Sequence, residues 1–503
     1  MSHQEQLHKP NRQQFSEKQF IAFAFNYVAG FGFISVVLTM FKLGPFSYLI
    51  LGLAALGILG VMLSFSRLSI ICGSKAYGGS YLIAKKALGV KTITARFFTF
   101  LSGWNVSLTG PFNGLIVPAV LVLSFADIKA VKDNNGALIG LLVGGFVLFG
   151  ALNFISLFGL KMNKNAILFF AIVKWVVVLG GLILGIYLIG TNHGHGFVEN
   201  NTLGEHIEDL SFLKVISTTV GMLVAFAGTE DLTAITPDVK SKNIRKCFLL
   251  MFGAVTLLYL IGFVIISGIS GLNGYGLDGK EKNEKAINTF GSIYFQAGGK
   301  YLGIPLLVIF GLGFLLNSLA SRLGMTITTA RKYVALAQDG FLPSFINEQN
   351  KHHEYHKAVW ASNIMTLAVM VLMIIVPFLP NDENPGKQLV MFDAISVLVE
   401  VAIELAVLLS LIQYFITYIF FFMILAKKEG SASVSWWEIA SYGVSFAIIT
   451  VLLFVNLFPI TAWKNTNTFK LSILAAFFAL GIGFFIHSEI KHKGQLVKSV
   501  ECN

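Results

Sequence analysis

Two acidic residues, Glu230 and Asp231, lie inside a largely apolar stretch of the chain, residues 212–246. They directly follow a short glycine-containing run, 225–228, which is expected to interrupt a helix. An interrupted helix leaves backbone donors and acceptors that lipid cannot satisfy, so such a break is tolerated where it faces a cavity or a bound molecule. The stretch therefore predicts a binding site for a small polar molecule inside a bundle of membrane helices.

A second interruption of the same kind is expected at Gly30, Phe31 and Gly32, in the first apolar run of the chain. The two interruptions are separated by five crossings, an odd number, so they would lie in two halves of opposite orientation. Backbone amides freed at a helix end can hold a carboxylate, and freed carbonyls can accept from an ammonium group. This pairing favours an α-amino acid over a sugar.

The charged residues inside the apolar runs have competing interpretations. Glu230 could carry a proton or hold a cationic group of a substrate, or it could be a helix N-terminal acid satisfied by free amides. Its neighbour Asp231 is expected to pair with a basic residue. For Arg67 and Arg322, salt bridges inside the bundle are favoured over contact with a substrate.

Composition assigns the chain to the membrane proteins. Of 503 residues, 55% are hydrophobic and 13% are charged, whereas a soluble protein carries roughly 25% charged residues. The net charge of +11 could indicate a nucleic-acid partner, but the basic residues lie in short loops between apolar runs, as in membrane proteins with basic cytoplasmic loops. No nucleic-acid partner is expected, and Cys72, Cys247 and Cys502 are expected to be free thiols.

Twelve apolar runs are long enough to cross a bilayer. They are 20–41, 46–71, 97–126, 137–158, 165–190, 212–236, 247–270, 301–329, 358–379, 391–426, 437–459 and 468–487. Loops on the side of the N-terminus carry roughly twice as many Lys and Arg residues as those opposite, which predicts a multi-pass protein of the cell membrane with both termini cytoplasmic.

The sequence gives no indication of covalent chemistry. No complete phosphate-binding G-x-x-x-x-G-K-[ST] loop is present, and His193 and His195 have no further ligands at zinc spacing. We therefore expect no enzyme activity, no cofactor and no metal. The sequence disfavours a membrane-embedded enzyme and a channel. The alternatives that remain are a carrier of a small polar molecule and a transport-inactive sensor or structural subunit.

Several segments resemble the amino acid–polyamine–organocation (APC) superfamily of permeases. The sixth run, AFAGTEDLTAITPDVKSKNIRK, is similar to the sixth-segment signature of that family. Further similarity lies in YGGSYLIAKKALG (77–89), in Ser102-Gly103-Trp104, in ALNFISLFGLKMNKNAILFFAIVKW (151–175) and in TARKYVALAQDGFLPSFINEQNK (329–351). The resemblance covers residues 18–430.

This resemblance implies an all-α membrane protein of twelve helices with a LeuT-like core of two inverted five-helix repeats, broken in segments 1 and 6, that works by alternating access. The expected parts are a cytoplasmic tail (1–19), the repeats (20–190 and 212–426), two peripheral helices (427–487) and a second cytoplasmic tail (488–503). The expected function is secondary transport of amino acids, either proton-coupled or by exchange. The alternative is a carrier of polyamines or organic amines, or an amino acid/amine antiporter.

The family also implies which residues bind the substrate. Those expected at the two breaks and on the facing segments are Val28, Ala29, Gly30, Phe31, Gly32, Asn105, Ala225, Phe226, Ala227, Gly228, Asn317, Ser318 and Ser410. In proton-coupled relatives a lysine on the fifth segment occupies the place of a sodium ion, which implies that Lys174 takes part in coupling. Glu230 is the second residue expected in coupling, because of its buried position after the break. Alternatively, Lys174 extends along its own stem to the membrane interface.

Overall fold

Helices make up almost all of the chain that the structure describes. This computed structural model describes residues 15–29, 43–71, 78–114, 116–125, 128, 131, 134–158, 160–200, 212–226, 228–240, 243–270, 290–352, 354–373, 391–427, 434–458 and 465–492. The helices are α1 (Glu17–Val28), α2 (Phe46–Ile71), α3 (Ser80–Leu88), α4 (Ile93–Gly114), α5 (Ile116–Ser124), α6 (Asn135–Ser156), α7 (Leu160–Thr191), α8 (His195–Glu199), α9 (Phe212–Leu223), α10 (Thr229–Leu232), α11 (Ile244–Ser267), α12 (Phe290–Gln338), α13 (His356–Met373), α14 (Met391–Ala426), α15 (Trp436–Leu457) and α16 (Asn465–His492).

Nine helical stretches within the described residues are long and apolar enough to cross a membrane. They correspond to α2, α4 with α5, α6, α7, α11, α12, α14, α15 and α16. The tenth predicted run, 391–426, has the same bounds as α14. Three predicted runs have no counterpart among the nine. The first contains α1, which has 12 described residues, and the sixth is interrupted. The ninth corresponds to α13, whose apolar part is too short to be counted among the nine.

The spanning helices divide into a buried set and a peripheral set. Most residues of α2, α4, α12 and α14 are buried, whereas α6, α7, α11, α15 and α16 bury only 28–33% of their most apolar part. The exposed remainder of these outer helices is apolar, with side chains such as Phe169 and Val176 more than half exposed. Such a surface is stable where lipid covers it.

Buried ion pairs and a ring nitrogen hold the peripheral helices to the centre. Arg67 of α2 donates to Glu438 of α15 at 2.6 Å, which confirms the salt bridge expected for this arginine. Arg96 of α4 binds Glu489 of α16 through two bonds of 2.7 Å. Trp104 also joins these two helices, because its Nε1 donates to a backbone carbonyl of α16 at 2.9 Å.

The sixth apolar run is interrupted at the glycine-containing stretch that predicted it. Helix α9 ends at Leu223, a 3-10 turn covers Val224–Phe226, and α10 begins after Gly228. Gly228 has φ +99°, and a Cβ there would lie 2.5 Å from Cε1 of Tyr27, so both the backbone conformation and the close approach require glycine. The first predicted interruption, 30–32, lies outside the described residues.

A short parallel strand pair is the only β-structure that the described residues contain. Strand β1 (Phe15–Ser16) precedes α1, and β2 (Val239–Lys240) follows the sixth run. Phe15 pairs with Val239 and Ser16 with Lys240. The segment that leads into the first apolar run is therefore tied by its backbone to the segment that leaves the sixth.

Candidate functional site

A cavity lies between the end of α1, the interruption of the sixth run, and helices α4, α5, α12 and α14. Its volume is about 90 Å³. Because one water needs roughly 10–15 Å³ of such a cavity, there is room for several waters or one small organic molecule. The polar and charged residues that line it are Tyr27, Thr109, Asn113, Glu230, Asp231, Ser318, Ser321, Arg322 and Ser410.

Glu230 is buried in the wall of this cavity and is bound by neutral donors. Its Oε1 accepts from the Ser410 hydroxyl at 2.8 Å, and its Oε2 accepts from the Tyr414 hydroxyl at 2.6 Å and from the Gly228 amide at 3.2 Å. No lysine or arginine of the described chain pairs with it. A buried carboxylate without a counter-charge is costly, so this position favours either a bound proton or a bound cation.

Asp231, by contrast, already has a cationic partner. Its Oδ1 accepts from the ammonium group of Lys332 on α12, and its Oδ2 accepts from the Tyr27 hydroxyl at 2.6 Å. Lys332 also donates to the Val106 carbonyl at 2.7 Å. The expected pairing of Asp231 with a basic residue is thus confirmed. The three side chains join α1, α10 and α12 beside the cavity.

Arg322 lines the cavity from α12 and is held by uncharged acceptors. Its Nη1 donates to the Gly110 carbonyl at 3.0 Å, and its Nη2 donates to Asn363 Oδ1 at 3.1 Å and Thr366 Oγ1 at 3.0 Å. Its Nε is buried without a hydrogen-bond partner, and no carboxylate in the described ranges forms the salt bridge that was favoured for it. Gly114 makes room for the guanidinium, because a Cβ there would lie 2.5 Å from Nη1.

Lys174 is buried between α7 and α1, and it does not reach the membrane interface. Only 2% of its surface is exposed, and its ammonium group donates to the Asn26 carbonyl at 3.1 Å. The same group lies 4.5 Å from the centre of the Trp175 ring. The lysine therefore does not line the cavity but contacts α1 directly. Its partner Asn26 lies two residues before Val28, which does line the cavity.

Comparison with known proteins assigns the chain to a family. The profile of the family described as amino acid permease matches residues 15–482, nearly the whole chain. The chain belongs to the amino acid permease family. The resemblance to the APC superfamily is thereby confirmed, and membership of this family indicates that this multi-pass membrane protein transports amino acids or related organic molecules.

Individual relatives cover this permease to different extents. It is 64% identical over 490 residues to the uncharacterized protein MG226 of Mycoplasma genitalium, covering 97% of this chain and 98% of the relative. It is 35% identical over 492 residues to the uncharacterized protein MG225 of the same organism, covering 96% of each. The general amino-acid permease GAP2 of Candida albicans is 28% identical over 227 residues, which cover 42% of this chain and 36% of the relative.

The residues expected to bind substrate in this permease fall into three groups. Those that line the cavity are Val28, Gly228, Ser318 and Ser410, with Glu230 beside them. Those that are buried outside its lining are Ala29, Asn105, Ala225, Phe226 and Asn317. Those that lie outside the described residues are Gly30, Phe31, Gly32 and Ala227.

Two residues of the second group, Asn105 and Phe226, form packing or helix contacts. The Nδ2 of Asn105 donates to the Leu409 carbonyl and to Gln413 Oε1, both at 3.0 Å, and so joins α4 to α14. The ring of Phe226 packs against Tyr259 with centroids 5.2 Å apart, where it does not cover the cavity.

Sequence reasoning missed Tyr27, Tyr414 and Lys332 as partners of the two acids. Tyr414 lies one helical turn after the expected Ser410, and this spacing could have indicated it. Tyr27 directly precedes the expected Val28. Lys332 lies beyond the end of its predicted run, 301–329, where the hydropathy pattern predicts a loop.

A second polar cluster lies away from the cavity, around the end of α12. Asp339 accepts from the Tyr81 hydroxyl and from Lys85 Nζ at 2.9 Å, while Arg331 donates to Glu354. Burial and the Asp339 carboxylate raise the pKa of Tyr81, so its hydroxyl stays a proton donor. These contacts tie α3 and the segment before α13 to α12 and close this end of the bundle.

Proposed function

We propose that this permease carries amino acids across the membrane by alternating access and binds them in the central cavity. The observation that carries the proposal is the environment of Glu230: a buried carboxylate, directly after a helix interruption, that lines a cavity and receives only neutral donors. An α-ammonium group would supply the missing counter-charge, and the free backbone groups of the interruption would bind the rest of the substrate's main chain.

The proposed architecture is a LeuT-like core of two inverted repeats, 20–190 and 212–426, followed by two peripheral helices, 427–487. Its support is that α1 precedes the nine long apolar helices, while the interrupted sixth run and α13 lie between them in the predicted order. These three add to the nine to give twelve crossings. We place both tails, 1–19 and 488–503, in the cytoplasm, with the cluster around Arg331 and Asp339 as the inner gate.

We further propose that protons drive or accompany transport through Lys174. The ammonium group is buried and donates to a backbone carbonyl of α1, while no carboxylate of the described chain neutralises it. A cation fixed at this position would repel a sodium ion. Loss of its proton would weaken its hold on α1, which coupling of protonation to movement requires.

Transport of organic amines is the second candidate, because the unpaired carboxylate of Glu230 suits an amine as well as an amino acid. Uptake into liposomes containing the purified protein separates the two. The labelled probes are the twenty L-amino acids, and putrescine and spermidine in parallel assays. We expect amino acid uptake, its loss in Glu230→Gln, and its retention in Glu404→Gln, a carboxylate that lies outside the cavity lining and pairs with Lys470.

Each outcome decides one point. Uptake of the polyamines without amino acids would establish the amine candidate. A protein that takes up none of the probes would overturn transport as its activity. If Glu230→Gln binds amino acids with full affinity, Glu230 is not the partner of the substrate's ammonium group. The remaining role for this carboxylate is then that of a proton carrier.

A further inference from the structure

The charged groups around the cavity do not cancel one another pairwise. Asp231 and Lys332 form an ion pair and neutralise each other. Glu230 and Arg322 remain, of opposite sign, each lining the cavity and each held only by neutral groups within the described structure. Among the described residues, the cavity therefore presents one unpaired anion and one unpaired cation, which a molecule that carries both charges would complement.

We propose that Arg322 binds a carboxylate of the transported amino acid and thereby excludes amines that lack one. The inference rests on the proposed function and extends it to the group that selects the substrate. A guanidinium has five N–H donors in a planar fork that matches a carboxylate. Described residues accept from three of the five, one on Nη1 and two on Nη2, so one Nη1 hydrogen and the buried Nε–H remain without an acceptor.

The neutral acceptors around Arg322 also fix its place. They come from α4 and α13, so the guanidinium is held from two sides, and no charge among the described residues competes for it. A residue whose role was only to join helices would not need a full charge, because burial of an unpaired cation is costly. The cost is offset when a substrate carboxylate enters, which favours substrates that have one.

An amine without a carboxylate would satisfy Glu230 but leave Arg322 unpaired and add a second positive charge to the cavity. Sites that are built to pair with a polar group discriminate strongly against analogues lacking it, because the site's own group is then left without a partner. A hydrogen bond to a charged group is worth enough to predict a loss of roughly 10- to 100-fold in affinity.

The test measures how much affinity each carboxylate contributes, with and without Arg322. Binding to the purified full-length protein is compared for leucine and leucinamide, lysine and cadaverine, and glutamate and glutamine. Any other of the twenty amino acids that is transported is compared with its own α-amide. The proteins are the wild type, Arg322→Gln, Arg322→Lys and Arg96→Gln, which removes the same charge from a guanidinium outside the cavity lining.

We expect the wild type and Arg96→Gln to prefer the carboxylate-bearing member of a pair by at least about tenfold. In Arg322→Gln this ratio should fall close to one, and in Arg322→Lys to an intermediate value, because lysine keeps the charge but loses the fork. A collapse in the first two pairs would assign the α-carboxylate to Arg322, and a collapse in the third alone would assign a side-chain carboxylate.

An unchanged ratio in Arg322→Gln would overturn the proposal and leave Arg322 a structural clamp, while amino acid transport itself would stand. If neither Arg322 variant folds, the wild type still decides: amides and amines bound as tightly as the acids would refute a carboxylate receptor. A wild type that binds no amino acid at all would overturn this inference together with the proposed function.

Discussion

Replacing Gly228 by alanine tests the interruption at the centre of the proposed site. The glycine has φ +99°, which costs an L-residue roughly 1–2 kcal/mol. The new methyl group would also lie 2.5 Å from Cε1 and 2.9 Å from Cδ1 of Tyr27. That ring cannot move away freely, because its hydroxyl donates to Asp231 at 2.6 Å. Overpacking of this kind costs about 1–3 kcal/mol, so we expect a total loss of about 2–5 kcal/mol.

The matched control is Gly221→Ala, seven residues earlier in the same run. Gly221 lies on the regular helix α9, and nothing lies within 4 Å of a Cβ built there. Its replacement should be neutral or stabilise the helix by up to about 1 kcal/mol. The free energy of unfolding, measured by titration with a denaturing detergent, compares both variants with the wild type.

The same preparations report on function. The strain in Gly228→Ala falls on Tyr27 and on the start of α10. We therefore expect this variant to lose amino acid binding at detergent concentrations at which the helix bundle is still folded. If Gly228→Ala unfolds within about 0.5 kcal/mol of Gly221→Ala and binds substrate normally, the interruption does not depend on glycine, and the reasoning from backbone geometry is refuted.

Three further perturbations address charged groups. Asp231→Asn and Lys332→Met should each destabilise the fold by about 3–5 kcal/mol, because each leaves a buried charge unpaired. The double variant should lose less stability than the sum of the two single losses. Additive losses in this double-mutant cycle would show that the pair is not coupled. Lys174→Met should retain substrate binding but lose the pH dependence of uptake in liposomes, and a pH profile like that of the wild type would remove this lysine from coupling. Glu354→Gln should speed amide hydrogen exchange at the end of α12, since Arg331 loses its nearest carboxylate; unchanged exchange there would contradict a closing role for the pair.

Length and hydropathy were sufficient to predict most of the helices. A segment that crosses lipid must be apolar along its whole length, so its ends are visible in the sequence, as for α2 and α14, whose bounds match the runs 46–71 and 391–426. The interruption of the sixth run was also predictable, because a glycine beside two acids has few other uses inside a membrane segment.

The partners of the site's charges were not predictable from the same signals. Helix α12 continues to Gln338, past the end of its apolar part, because its last turns are buried in protein rather than lipid. Lys332 therefore points at Asp231, 101 residues earlier, from within a helix. The acceptors of Arg322 lie 212, 41 and 44 residues away, and no local pattern in the sequence encodes such distances.

The strand pair β1–β2 has a mechanical consequence for the cavity. Helix α1 is attached to the sixth run at both of its ends, through backbone bonds at Phe15 and through the Tyr27 hydroxyl at Asp231. By comparison, Lys174 and Lys332 attach these two segments to α7 and α12 through single side chains. The first and sixth segments are thus connected to each other at two points, and a displacement of Phe15 would also act on the segment that follows the sixth run, which borders the cavity.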